Sequence, residues 1–289
     1  MDNLKAKKRH PEEIAVYTAI YVCAAFSVLL LLGIIIYVFA KGARRVNWAF
    51  LTGVTSILHG TVGIAGNILN TLIIILLTMI ITTPIGVGAA IYLNEYAKPG
   101  KLVTVIIFAT ETLAGIPSII FGLFGMLFFG QLCHMGYSLL TGSLTLTLMV
   151  LPLVTRNTQE ALKTVPDSFR TGAVGLGAGK WYTIRTILLP SAMPGIVTGV
   201  ILAIGRIIGE SAALLFTAGS AHLLPKTFNA FLEKIFHSGG TLTIQLYLSA
   251  SKGEFEVAFG IAVVLLVIVL LINFCLLYTS PSPRDRSVS

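Results

Sequence analysis

The chain has 289 residues, of which 55% are hydrophobic and only 11% are Asp, Glu, Lys or Arg, whereas soluble domains carry about 25% charged residues. Together with a mean hydropathy of +0.90, this composition excludes a water-soluble globule. The formal net charge of +8 is explained by basic residues that membrane proteins keep on their cytoplasmic side, so a nucleic-acid partner is not expected. The 3 Cys and 5 His have no metal-ligand spacing, and neither a metal site nor a disulfide is predicted.

Six apolar runs are long enough to be transmembrane helices, which need about 20 residues each. The basic residues 1–16 are typical of a secretory signal peptide, but the run that follows is too long for one and lacks a cleavage site, so we expect a retained span. The sequence predicts an all-α polytopic membrane protein whose transmembrane part covers residues 17–278. The runs are residues 17–40, 68–92, 102–130, 139–154, 195–216 and 257–278.

Lys and Arg divide unequally between the two faces of the predicted bundle. Cytoplasmic loops are enriched in these residues, so the richer face and both chain termini are predicted to be cytoplasmic. Lys41, Arg44 and Arg45 go against this trend, because they follow the outer end of the first span. The richer face carries Lys5, Lys7, Lys8, Arg9, Lys98, Lys101, Arg156, Lys163, Arg170, Lys180, Arg185, Arg284 and Arg286, and the outer face also has Lys226, Lys234 and Lys252.

Two segments outside the spans have distinct compositions. The connection 218–256 is predicted on the outer face, with its half-apolar residues 242–248 in the membrane interface. The last residues, 279–289, are polar and rich in Ser and Pro, which predicts disorder. Their abrupt composition resembles a cloning scar, and we exclude them from functional reasoning.

The cytoplasmic connection 156–190 contains two short amphipathic segments broken by glycines. Its composition alone is equally consistent with a loop that covers the inner ends of the spans. The spacing is more specific: Gly177 is followed after nine residues by Ile187, and then by Leu189 and Pro190. This pattern resembles the "EAA" loop in permease subunits of ABC importers.

The resemblance implies that this connection forms a coupling helix that docks in a groove of a cytoplasmic ATPase. The Glu-Ala-Ala of the family falls on Thr171, Gly172 and Ala173, so the polar contact of the family's Glu is not expected here. Val165, Phe169, Val174 and Leu176 are the apolar residues available for docking.

Further stretches are similar to phosphate-transport permeases of the PstA type, over nearly the whole membrane part. The resemblance implies a MetI-like permease fold in a bacterial-type inner membrane, with a PstC-type permease partner, a PstB-type ATPase dimer, an extracytoplasmic phosphate-binding protein and inorganic phosphate. The stretches are TPIGVGAAIYLNEYAK (83–98), LAGIPSIIFGLFG (113–125), EALKTVPDSFR (160–170) and LAIGRIIGESAALLFTAG (202–219).

No enzymatic activity is expected of this chain. The resemblance implies that ATP and Mg are bound by the ATPase partner. The residues agree, because Gly179-Lys180 is followed by Trp181 where a phosphate-binding loop needs Ser or Thr.

Arg206 lies inside the apolar run 195–216. A cation at that depth costs about 2.5–3.5 kcal/mol on insertion scales, so it is not expected to face lipid. Glu210, four residues later, is expected to pair with it on one helical face. The pair either packs the helix against a neighbour or lines a translocation path, where guanidinium suits phosphate oxygens and a carboxylate favours an anion that carries a proton. PstA-type permeases carry a similar segment here, which favours the path.

Glu111 is the other charge inside a predicted span. It is expected to lie near the cytoplasmic end or to pair with Arg206 across helices, beside the helix-breaking Gly115 and Pro117. Small residues predict close helix packing on two faces of the fifth span, one formed by Gly195, Gly199 and Ala203 and the other by Gly205 and Gly209.

Three alternative functions remain from sequence alone. The first is a permease for another oxyanion, such as phosphonate, sulfate or molybdate, or the sister subunit of the phosphate system. The second is an ion-coupled transporter or channel, which would need midplane carboxylates and usually related halves, whereas only Glu111 and Glu210 are found. A membrane-embedded enzyme is disfavoured because no nucleophile or acid-base motif clusters in the spans.

Overall fold

The computed structural model describes residues 11–56, 61–98, 100–225 and 227–279. Predictions that concern the basic residues before Pro11, Lys226, Arg284, Arg286 and the tail after Thr279 lie outside the described residues. Among the described residues, five helices are long and apolar enough to span a membrane, or up to six if a bent pair of helices counts as one span. The predicted all-α architecture with about six spans is confirmed.

The first half of the chain begins with a long helix and a short hairpin. Helix α1 (Pro11–Gly42) ends in a 3₁₀ turn (Ala43–Arg45). Helix α2 (Trp48–Thr52) follows and is capped by Asn47, whose Oδ1 accepts a bond from the Phe50 amide at 2.8 Å. Strands β1 (Val54–Ser56) and β2 (Thr61–Ile64) are antiparallel, with Val54 opposite Ile64. Helix α3 (Ala65–Ile91) then spans the bundle and continues as a π-helical turn (Tyr92–Tyr96).

The third predicted span is broken rather than straight. Helices α4 (Lys101–Gly115) and α5 (Ser118–Gly125) meet at an angle of 102°, and a π-helical segment (Met126–Leu132) extends α5. The break lies at Ile116, which is extended with ψ 131°, because the Pro117 ring disfavours helical backbone in the residue before it.

The second half places the fifth span earlier in the chain than hydropathy predicts. Helix α6 (Leu139–Lys163) is followed by α7 (Asp167–Gly175), α8 (Lys180–Thr183), a π-helical turn (Ile184–Leu188) and α9 (Leu189–Gly209). One continuous span therefore runs over Lys180–Gly209 instead of 195–216. Short helices α10 (Ala212–Thr217), α11 (Phe228–Lys234) and α12 (Leu242–Ser251) lead to α13 (Phe255–Thr279).

The core of the bundle lies between α3, α6 and α9. Leu146, Met149 and Val150 of α6 are fully buried there. A methyl group added at Gly199 would lie 2.6 Å from the Asn157 side chain, and one at Gly195 would lie 2.6 Å from Ala161. This small-residue face therefore lets α9 approach α6 closely, as the sequence predicts.

The connection 218–256, which the sequence predicts on the outer face, packs into the bundle. Leu242 and Ile244 of α12 are fully buried. At the start of α3, the side-chain amides of Asn67 and Asn70 each donate to the Gly240 carbonyl at 3.0 Å. The other end of α3 continues as the segment Tyr92–Tyr96, where Glu95 accepts a bond from Arg170 of α7. The connection 218–256 and α7 therefore lie at opposite ends of the bundle.

Candidate functional site

Helix α7 ends in a geometry that requires glycine. The Gly177 amide donates to the Val174 carbonyl at 2.9 Å and the Ala178 amide donates to the Ala173 carbonyl at 3.0 Å, which are the two bonds of a Schellman helix end. Gly177 has φ +79°, and a residue with a Cβ is strained by about 1–2 kcal/mol there. The glycine of the predicted motif therefore sets the direction in which the chain leaves α7.

Helix α7 and the residue directly after it carry exposed apolar side chains. Phe169, Val174 and Leu176 are exposed, Leu176 to 92%. Val165 was expected to share this surface, but it is 4% exposed and packs in a cluster with Leu162, because the chain turns inward before α7. Three exposed apolar groups on a short helix form a candidate docking surface.

The three residues at the place of the family's Glu-Ala-Ala differ in their surroundings. Thr171 is exposed and its hydroxyl donates to the Asp167 carbonyl at 3.1 Å. Gly172 has open space where a Cβ would stand, whereas Ala173 is buried. Thr171 is therefore occupied within its own helix, and Ala173 helps to seat α7.

Arg170 joins α7 to two transmembrane helices. Its Nη1 donates to the Val165 carbonyl at 2.9 Å and to Asp167 Oδ1 at 3.0 Å. Its Nη2 donates to the Leu162 carbonyl and to Glu95 Oε1, both at 3.0 Å. The Glu95 side chain is 9% exposed and the Arg170 side chain 23%. This partly buried hub fixes α7 to the end of α6 and to the end of α3.

A second contact ties the loop to the same end of α3. The Lys180 ammonium lies 4.8 Å from the centroid of the Tyr96 ring, within the range of a cation–π interaction. Sequence reasoning missed Glu95 as a partner of Arg170. The signal that points to it is a lone carboxylate at the end of the second span, since the connection 156–190 is rich in cations.

The last motif residues lie within the continuous fifth span. Ile187 and Leu189 are half-buried, and their neighbours Ile184 and Leu188 are fully buried. Pro190 has no amide proton for an intrahelical bond, and the π-helical turn Ile184–Leu188 directly before it widens the helix, as is common where the regular bonding ladder is interrupted. The loop 156–190 is thus mostly helical, because α6 continues past Arg156 to Lys163.

The structure does not bring Arg206 and Glu210 together. Helix α9 ends at Gly209, and Glu210 is extended with ψ 124°. Its Oε1 accepts a bond from the Ala213 amide at 3.1 Å, and its carbonyl accepts one from Thr243 Oγ1 at 2.8 Å. The predicted pair is wrong because the helical face does not extend across Gly209, and Glu210 instead stabilises the start of α10.

Arg206 lies on an exposed face of α9. Its side chain is exposed, as are Leu202 and Gly209 on the same face. An added Cβ at Gly205 or Gly209 would meet nothing within 4 Å. The second predicted small-residue face is therefore open, and Arg206 forms no ion pair within the described residues.

Glu111 is also exposed and unpaired in the part of the chain that the structure describes. It lies in the last turns of α4, a helix with no buried residue. The predicted pairing of Glu111 with Arg206 is wrong in this chain, since neither residue takes part in an ion pair among the described residues. Both charges instead lie on surfaces that are exposed in the described part of the chain.

The cavity beside the break between α9 and α10 has mainly apolar walls. Its volume is about 210 Å³, and it is lined by side chains of α5, α10 and α12 such as Ile119, Leu215 and Tyr247. None of its lining residues is a cation that could bind an anionic ligand.

In the outer connection, Lys234 is buried, and its ammonium donates to the Leu223 carbonyl. Burial lowers the pKa of this lysine below its ordinary value of 10.5, because the charged form loses hydration. Lys234 therefore holds the segment before α11 against α11 itself.

Comparison with known proteins agrees with this geometry. The chain is 36% identical over 261 residues to "Probable ABC transporter permease protein YqgI" of Bacillus subtilis, covering 87% of this chain and 89% of that one. It is 32% identical to "Phosphate transport system permease protein PstA 2" of Mycobacterium bovis, covering 89% and 84%.

A solved structure of a bacterial alginate ABC transporter, in complex with an alginate pentasaccharide-bound periplasmic protein, superposes with a TM-score of 0.68 at 14% identity. The match covers 93% of each chain and supports the fold alone. Residues 82–282 match the family described as "Binding-protein-dependent transport system inner membrane component". The chain therefore belongs to this family of ABC importer permeases.

Proposed function

We propose that this chain is the PstA-type half of an ATP-driven importer of inorganic phosphate. The observation that carries the proposal is the open face of α9, on which Leu202, Arg206 and Gly209 are exposed among the described residues. Arg206 lies in the last turn of α9, close to the end of the span Lys180–Gly209, and a cation that close to the hydrocarbon region needs water or an anionic partner. The open face is therefore expected to border a water-filled path that a PstC-type subunit completes.

The chemistry of Arg206 suits a phosphate ion. A guanidinium offers planar, bidentate donors to an oxyanion, and Arg206 keeps its donors free of carboxylates in the described chain. Glu210 follows directly after the helix end and is expected to disfavour anions that carry no proton. Glu111 on the exposed α4 is expected to face the partner subunit. The names of relatives such as PstA 2 of Mycobacterium bovis support phosphate over other oxyanions.

Coupling to a PstB-type ATPase dimer would take place at α7, which we propose to be cytoplasmic together with both termini. The exposed Phe169, Val174 and Leu176 supply an apolar surface for a groove on the ATPase. Arg170 would transmit movement of α7 to α3 through Glu95 and to α6 through Leu162. ATP and Mg would bind in the ATPase, and an extracytoplasmic phosphate-binding protein would deliver substrate at the opposite end.

The test is uptake of radiolabelled phosphate by vesicles that contain the assembled complex. Arg206→Gln removes the charge and the guanidinium fork but keeps a polar, shorter side chain, and it is expected to reduce uptake by at least tenfold. The matched control is Lys252→Gln, because Lys252 is an exposed cation near the same end of the bundle and lies outside the α9 face. Equal uptake by both variants would refute the role of Arg206.

A second arm separates phosphate from the other oxyanions. Sulfate and phosphate are offered to the same vesicles at equal concentration. We expect phosphate uptake alone, and a relaxed selectivity in Glu210→Gln. Efficient sulfate uptake by the unsubstituted complex would favour the alternative permease for another oxyanion.

A further inference from the structure

A cluster of three cations lies at the end of the bundle opposite α7, where the unequal distribution of Lys and Arg in the sequence predicts few cations. Lys41, Arg44 and Arg45 occur within five residues at the end of α1. Arg45 lies beside Phe50, which packs in a cluster with Ile64 at the start of α3. Because Arg170 contacts the other end of α3 at Glu95, the cation cluster and α7 face opposite membrane surfaces.

The backbone at this point is built for close contact between α1 and α13. Gly42 packs directly on the Phe259 carbonyl, where a Cβ would not fit. The Tyr37 and Phe259 rings meet edge to face with centroids 5.8 Å apart. The two helices thus form one wall on which the exposed rings of Tyr37 and Phe255 lie next to the cations, a combination found at membrane–water interfaces.

Arg45 is fixed in this wall, whereas Lys41 and Arg44 are free to bind. The guanidinium of Arg45 lies 5.8 Å from the Phe50 ring centroid, and its Nε is buried without a hydrogen-bond partner. The side chains of Lys41 and Arg44 are exposed. None of the three cations forms an ion pair with a carboxylate of the described chain.

These side chains line one cavity of about 1010 Å³ between α1 and α13, together with Tyr37, Phe255 and Glu256. Its three cations and one carboxylate leave it with a net positive charge. The volume is far larger than a single phosphate group needs. Below the cavity, Ile34 and Ile36 of α1 and Val267 of α13 are exposed apolar surface over which acyl chains can lie.

We propose that this cavity binds the phosphate group of an anionic phospholipid. A phosphodiester would accept bonds from Lys41 and the fork of Arg44, and its acyl chains would follow the apolar faces of α1 and α13. Lys and Arg side chains next to a membrane surface attract anionic lipid headgroups. A free phosphate ion offers the same oxygen chemistry, but it would leave the apolar part of the wall unused.

Trp48 provides the assay, because it is three residues from Arg45 and 79% exposed. In a Trp181→Phe background it is the only tryptophan, since the chain has two. The purified full chain is placed in phosphatidylcholine vesicles, and quenching of Trp48 is measured with brominated phosphatidylglycerol or brominated phosphatidylcholine. The test variant is Lys41→Gln with Arg44→Gln, and the control is Lys252→Gln.

We expect phosphatidylglycerol to quench more strongly than phosphatidylcholine at equal mole fraction. The preference should weaken by about fivefold for each cation removed and should stay unchanged in the control. Equal quenching by both lipids would overturn the proposal, and so would an unchanged preference in the double variant. Displacement of the brominated lipid by millimolar inorganic phosphate would identify a site for the free ion instead.

Discussion

The bond between Arg170 and Glu95 gives the sharpest test of how α7 communicates with the membrane helices. Glu95→Gln keeps the shape of the side chain and removes its charge. In the unsubstituted chain Glu95 Oε1 accepts from Arg170 Nη2 at 3.0 Å and from Asn94 Nδ2 at 2.7 Å. The change therefore weakens the one ion pair that links α7 directly to α3.

The magnitude lies between two limits. Breaking a buried ion pair by removing one partner costs about 3–5 kcal/mol, whereas exposed pairs contribute about 0–1 kcal/mol. Glu95 is 9% exposed, but Arg170 keeps its bonds to Asp167 and to the carbonyls of Leu162 and Val165. We expect a loss of about 2 kcal/mol in the attachment of α7 to α3, because these remaining bonds soften the penalty. This loss corresponds to a roughly 30-fold shift in the docking equilibrium.

The assay measures phosphate uptake and ATP hydrolysis by the same vesicles. Glu95→Gln is expected to lower the phosphate moved per ATP hydrolysed, while the ATPase still co-purifies. The matched control is Glu160→Gln, which breaks the exposed pair of Arg156 and Glu160 on α6, at 3.2 Å with side chains 68% and 61% exposed. The reasoning is refuted if both variants keep the unsubstituted ratio, or if both lose it equally.

Three further predictions concern stability and assembly. Gly177→Val should cost about 1–2 kcal/mol at φ +79° and reduce co-purification of the ATPase. Gly175→Ala, with open space at its Cβ, should leave co-purification unchanged. Equal co-purification with both variants would contradict the helix-end argument. Gly199→Ala should lower the thermal unfolding temperature through overpacking of about 1–3 kcal/mol against Asn157, whereas Gly205→Ala should leave it unchanged. Between the lowered pKa of Lys234 and its ordinary value of 10.5, the unfolded chain binds more protons than the folded chain, so the free energy of unfolding should rise with pH. Lys234→Met should remove this rise in a thermal unfolding series. An identical slope for the variant and the unsubstituted chain would contradict the argument.

The apolar spans and the end of helix α7 at Gly177 were predictable because each follows from a local pattern. About 20 apolar residues require a bilayer wherever they occur, and Gly177 marks a helix end through its own backbone freedom. Gly177 accordingly ends helix α7 in the structure, even though Thr171 replaces the family's Glu.

The wrong or missing predictions concern positions whose structure is determined by a distant contact or by the end of a helix. Hydropathy placed the fifth span at 195–216, but the helix starts at Lys180 because Ile184 and Leu188 are buried against the end of α6. The pairing of Arg206 with Glu210 assumed an unbroken helix through Gly209. Glu95 was missed because its partner Arg170 lies 75 residues away, and no local periodicity reports such a distance.

In the proposed mechanism, ATP hydrolysis in a partner subunit drives phosphate through a path that this chain half-forms. This mechanism is tested most directly by phosphate uptake into vesicles that contain the complete complex with ATP on the α7 side. We expect uptake with an active ATPase partner and none with a partner that binds ATP but cannot hydrolyse it. Uptake that continues unchanged with the inactive partner would contradict the account.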